Sequence, residues 1–243
     1  KQKREYKLSP GKLALSLGSG AFLALHFLFW MTSLEHTSVA SSVVLVTTQP
    51  LWVFLISVLF LQEKPTGSMW LGLFVALLGS VLVVFTTGDG EASRLWGNIL
   101  AVVGAIMMAC YFLVGRRLRR DLPLGLYSAL VYGSASLVLS GFMIFRGLPW
   151  GGYSTSTWLT FAALALIPTV LGHNSLNWAL KYLPATMVSV TILGEPLGAS
   201  ILAIFVLREI PSLLEIIGSL VTIVGIFLVW WGDSARHLGT NLN

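Results

Sequence analysis

A chain of 243 residues with 10% charged and 56% hydrophobic residues and a mean hydropathy of +0.83 is not built like a soluble domain, in which about a quarter of residues are charged. The formal charge of +5 does not point to nucleic acid, because the basic residues sit in short loops beside apolar runs rather than along a groove or helix face. One cysteine, Cys110, excludes an internal disulfide, and without a cysteine or histidine cluster there is no framework for a metal.

Apolar runs of about 20 residues, each long enough to cross a hydrocarbon core of ~30 Å, recur along the whole chain. In chain order they predict helices over about 13–33, 39–61, 68–87, 95–115, 123–145, 156–180, 184–207 and 211–231, bounded by Gly, Pro, Ser and charges. The expected fold class is all-α: a polytopic membrane protein whose residues 1–243 form a single transmembrane domain of eight helices. The stretch ending at Lys12 is basic and carries no signal-peptide apolar core.

With the N-terminus placed in the cytoplasm, twelve of the 15 Lys and Arg residues fall inside, and only Arg94, Arg146 and Arg208 fall outside. Positively charged loops resist translocation, so both termini are expected to be cytoplasmic. Tryptophans agree: all but Trp52 lie near predicted span ends, where indoles favour the headgroup region.

An ungapped shift of 146 positions superimposes Pro50 on Pro196, Glu63 on Glu209, Pro65 on Pro211, Gly72 on Gly218 and Gly79 on Gly225. The shift carries the first three predicted helices onto the last three, five helices away. Five is odd, so equivalent helices cross the membrane in opposite directions, the inverted-repeat arrangement of many secondary transporters. Residues 13–87 are then the end of a first repeat and residues 95–231 a complete second one. Two further helices are expected ahead of Lys1, completing a ten-helix 5+5 bundle.

A proline in mid-helix, a glutamate at that helix's end and a glycine-punctuated helix after it occur twice: Pro50, Glu63, Gly72 and Gly79, then Pro196, Glu209, Gly218 and Gly225. From Leu13 to Trp231 the chain thereby resembles the EamA-type members of the drug/metabolite transporter superfamily. That resemblance implies a ten-helix bundle around a central cavity, exporting amino acids, related metabolites or drugs from a bacterial inner membrane.

Pro50 and Pro196 each remove a backbone donor in mid-span and free the carbonyl four residues earlier, Val46 or Ile192. Paired interruptions in two halves point to a midplane binding site, because irregular backbone is tolerated only beside protein or a water-filled cavity. Glu195 is the acidic residue nearest a span centre, where an ionised side chain costs a few kcal/mol, and Gln49 is its repeat counterpart. A cavity-facing Glu195 would bind a substrate amine or carry a proton; the structural alternative is a protonated carboxyl bonded to kinked backbone. His26 and His173, one position out of register across the repeat, are candidates for a proton relay, and Asn174 and Asn177 follow the second. The competing reading is that each bonds between helices. Trp52, two residues past Pro50, is a candidate to stack on an apolar or aromatic substrate or to meet an amine by cation–π contact; the competing reading is that it faces lipid or packs in the core.

No lysine or arginine falls at mid-span, which disfavours phosphate-bearing cargo and leaves a neutral, zwitterionic or cationic solute. The expected partners are that solute, membrane lipids and protons as the candidate coupling ion; no cofactor, metal or nucleic acid is called for. An intramembrane enzyme is disfavoured, since there is no paired-histidine zinc motif, nucleophile turn, Walker loop or pair of midplane carboxylates. The alternative function is a noncatalytic membrane subunit or an inactive truncated fragment.

Overall fold

The computed structural model describes residues 8–37, 39–60, 65–85, 95–194 and 213–240. Glu195 and Pro196, and with them the second predicted kink, lie outside the described residues, as do Glu63 and Glu209. Among the described residues every regular element is helical: α1 (Pro10–His36), α2 (Val39–Val46), α3 (Gln49–Phe60), α4 (Gly67–Phe85), α5 (Leu95–Arg119), α6 (Leu124–Phe145), α7 (Thr155–Leu164), α8 (Asn174–Ala179), α9 (Ala185–Thr191) and α10 (Leu213–Thr240). A π-helical segment, Ala165–His173, joins α7 to α8, so the sixth span runs from Thr155 to Ala179. Among the described residues, four spans, α1, α5, α6 and that composite, are long and apolar enough to cross a bilayer.

Local chemistry explains where these helices start and stop. Ser9 caps α1 by accepting from the Lys12 amide at 3.3 Å, and Pro10 occupies the first turn, where a missing N–H costs nothing. At the end of α6 the Leu148 amide donates to the Met143 carbonyl at 2.9 Å and the Gly147 amide to the Ile144 carbonyl at 3.1 Å. This Schellman turn needs the left-handed backbone that Gly147 adopts at φ 63°.

The second predicted span is not one helix. Thr47 and Thr48 separate α2 from α3, because Pro50 cannot donate to the carbonyl four residues back. Tighter turns replace the missing bond: the Thr48 amide donates to the Leu45 carbonyl at 3.2 Å, and the Leu51 amide to the Thr48 carbonyl at 2.9 Å. The seventh span likewise leaves α geometry, as a 3₁₀ turn over Ile192–Gly194. The shift of 146 residues maps that turn onto 46–48, the end of α2 and its break.

Packing divides the bundle into two cores. Leu23, Met108, Phe112, Tyr127 and Val131 fill one among α1, α5 and α6; Phe54, Leu73, Ala76, Leu193 and Val229 fill the other between α4 and α10. Helices α3 and α9 touch both, since Val53 and Val188 enter the first core while Phe54 and Val190 enter the second. Lipid is as apolar as leucine, so helices associate here through close backbone approach at small residues. Helices α4 and α10 run antiparallel, Gly72 meeting the Gly225 carbonyl and Gly79 the Gly218 carbonyl. A methyl group at Gly72 would stand 2.7 Å from the first oxygen, and one at Gly79 would stand 2.6 Å from the second.

Candidate functional site

Polar side chains gather where α1, α5 and α6 meet α8. Asn177, fully buried, accepts from the Tyr111 hydroxyl at 2.6 Å, and its backbone carbonyl accepts from Arg119 Nε at 2.9 Å. Asn174 Oδ1 accepts from Ser128 Oγ at 2.6 Å and from Tyr132 Oη at 2.9 Å. These bonds fasten α8 to α5 and α6 at once, and in a low-dielectric interior such a satisfied network is rigid. Arg119 also donates to the Leu122 carbonyl, and Arg116 reaches the carbonyls of Leu180 and Lys181 at 2.8 and 3.0 Å. Both guanidiniums thus serve carbonyls at the C-terminal end of the sixth span, where helices leave acceptors unpaired and favour cations.

The two histidines converge through one ring. Phe27 lies 5.2 Å from the His26 ring and 5.6 Å from that of His173, and Tyr111 lies 6.3 Å from His173. His26 Nδ1 is paired with the Gly104 carbonyl at 3.0 Å, and the ring stacks on Trp30. This is the interhelical bond of the competing reading, which leaves Nε2 as the side of the ring available for other chemistry. His173 differs: its Nδ1 is buried with no hydrogen-bond partner among the described residues. The same holds for Gln49 Nε2 and Trp52 Nε1.

Leaving a buried polar group unpaired costs about 1–3 kcal/mol, so native proteins rarely do it without a use for the group. Gln49 directly follows the Thr47–Thr48 break, and His173 ends the π-helical segment, which forms where Pro168 removes an amide donor. Trp52 packs against the first core, one turn beyond Gln49. Asn174 borders a cavity of about 490 Å³ with Trp178 and Leu171. The structure therefore joins His26, His173 and Asn174 in one region through Phe27, Tyr111 and α8, whereas Trp52 packs against the core that contains Tyr111 and Gln49 stands at the break before α3.

Sequence reasoning missed Tyr111, Ser128, Tyr132 and the buried Arg119. Their spacing carried a signal: Tyr111, Gly115 and Arg119 recur every four residues along α5, as do Ser128 and Tyr132 on α6, each set a single helix face. Replacing Tyr111 by Phe keeps the ring beside His173 but leaves Asn177 Oδ1 without its donor. A loss of about 1–3 kcal/mol in stability is expected, read as a lower thermal midpoint in detergent.

In the α5–α6 loop, outside the spans, Asp121 Oδ2 lies 2.8 Å from Lys12 Nζ at the start of α1. That hydrogen bond, reinforced by the lysine's charge, holds the carboxyl below its usual value. Its contribution is complete above the ordinary aspartate range and is lost as pH falls through the lowered value.

An all-helical bundle with spans of membrane length and lipid-facing apolar surface is a polytopic membrane protein, and its interrupted helices with buried polar groups are features of transporters. The chain belongs to the EamA-like transporter family, whose profile matches residues 1–85 and 95–231. It is 26% identical over 207 residues to the uncharacterized transporter YdfC of Bacillus subtilis (strain 168), covering 84% of this chain and 67% of that protein. An uncharacterized transporter of Archaeoglobus fulgidus is 25% identical over 217 residues, covering 88% of this chain and 75% of the relative. A solved crystal structure shares the fold with a TM-score of 0.73 at 19% identity, over 96% of this chain and 91% of its own.

Proposed function

We propose that this transporter exports small metabolites, namely amino acids or related neutral, zwitterionic or cationic solutes or drugs, by alternating access through a central cavity. The observation that carries the reading is that Gln49 and His173, each with a buried polar atom that has no partner among the described residues, each stand at a helix interruption. A solute's polar groups would satisfy them. Glu195, Trp52, His26 and Asn174 complete the proposed binding set, Pro50 and Pro196 supply the kinks, and Glu195 with the histidines offers proton carriers for coupling.

The 5+5 inverted repeat belongs to the same proposal. Its support is the pattern of contacts between α4 and α10: Gly72 meets Gly225 as Gly79 meets Gly218, and Gly79 meets Thr222 as Gly225 meets Ala76. Each contact maps onto its mate under the shift of 146 residues with the partners exchanged. A two-fold axis in the membrane plane produces that exchange. Residues 13–87 and 95–231 are then the two repeat portions, in an inner membrane with both termini cytoplasmic, as the charge asymmetry favours.

Vesicles carrying the protein are expected to release preloaded labelled amino acids or cationic drugs faster than empty vesicles. Gln49→Leu should slow that release about tenfold by removing one hydrogen-bonding group from the cargo's path. Equal leak from protein-bearing and empty vesicles across such a panel would overturn the reading in favour of a non-transporting membrane subunit.

A further inference from the structure

Two cavities adjoin at Leu124, at the end of the bundle where Lys12 meets Asp121. The smaller, about 280 Å³, lies among Arg119, Arg120, Asp121, Lys181 and Tyr182. Its charges are three cations and one carboxylate, and the carboxylate is engaged by Lys12 at 2.8 Å. A positive field therefore remains. Arg120 and Lys181 are exposed at its mouth, whereas the buried Arg119 spends donors on the Asn177 and Leu122 carbonyls and adds charge at the floor.

The larger cavity, about 490 Å³, is a groove walled mainly by Leu124, Val170, Leu171, Trp178 and Ala179. Two of its polar oxygens are occupied: Asn174 Oδ1 accepts from Ser128 and Tyr132, and Ser175 Oγ donates to the Leu171 carbonyl at 2.7 Å. Trp178 and Tyr182 link the two cavities, their rings 5.0 Å apart, and Lys181 Nζ sits 5.5 Å over the Tyr182 ring. Such aromatic pairs favour the headgroup depth of a bilayer.

A basic hollow opening onto an apolar groove at interfacial depth matches one chemistry: an anionic head group joined to a hydrocarbon chain. We propose that the two cavities form a single site for an anionic glycerophospholipid, its phosphate between Arg120 and Lys181 and an acyl chain along the α8 groove. A free phosphate would leave the groove unused, and a zwitterionic lipid would leave the charge uncompensated. The groove adjoins the proposed cargo set at Asn174, but the lipid reading does not depend on transport of any cargo.

Native mass spectrometry of the detergent-purified protein tests this with dioleoyl-phosphatidylglycerol and dioleoyl-phosphatidylcholine. The wild type is expected to retain the anionic phosphatidylglycerol selectively, and R120Q/K181Q to bind it about thirtyfold more weakly, two basic groups near a lipid surface being worth that much together. Arg117→Gln, exposed and outside the cavity, should bind as wild type does. Excess inorganic phosphate should not displace the lipid. Equal retention of both lipids by the wild type overturns the proposal even where a variant fails to fold. So do undiminished binding in R120Q/K181Q, an equal loss in Arg117→Gln, and displacement by phosphate alone.

Discussion

Gly225→Val is expected to remove most folded protein from the membrane. A Cβ at this position would stand 2.6 Å from both Cα and Cβ of Ala76, so backbone, not a flexible side-chain tip, bars it. Overpacking a core commonly costs 1–3 kcal/mol, and because neither α4 nor α10 can yield without parting from the other, about 3 kcal/mol or more is expected. Gly79→Val meets the repeat-related obstacle, the backbone amide of Thr222, and should fail alike. Gly141→Val is the control, since nothing lies within 4 Å of a Cβ there. Thermal midpoints and membrane abundance are the readouts. A Gly225→Val protein melting with the wild type would mean that the α4–α10 seam contributes little to stability.

Glu195→Gln is expected to slow solute release about tenfold at unchanged membrane abundance, the gap between a charge-assisted hydrogen bond and a neutral one. Glu195 directly follows the 3₁₀ turn ending at Gly194, and its repeat counterpart Gln49 is a buried residue with an unpaired amide. A carboxylate at mid-span is expensive against lipid and a proline beside it loosens the helix; both penalties shrink next to water. Glutamine keeps the size and the hydrogen bonding while removing ionisation. Flux that keeps both its rate and its pH dependence after this substitution would reject a coupling or binding role for the carboxylate.

Much of the fold was legible one dimension at a time. Span positions follow from hydropathy and length, so α1 begins three residues before the expected start and α6 ends where expected, at Phe145. The break before Pro50 was legible too, because a missing amide acts within its own turn, although the two-helix form of that span was not anticipated. Pro168 offered the same cue and was passed over; its effect, a π-helical segment across nine residues, depends on how the next turns find substitute acceptors.

Composition, charge placement and the shift of 146 residues determined the class of protein and its expected orientation, because each is a property of local sequence or of its repetition. Tertiary structure decided which faces meet. That Tyr111 and Arg119 hold Asn177, that Phe27 stands between two histidines, and that Gly72 is opposite Gly225 rather than its own repeat image are outcomes of helix pairing. In a bilayer every span is apolar enough to be at ease in lipid, so hydrophobicity alone does not choose partners; close packing and buried hydrogen bonds do, and both exist only once the helices are side by side.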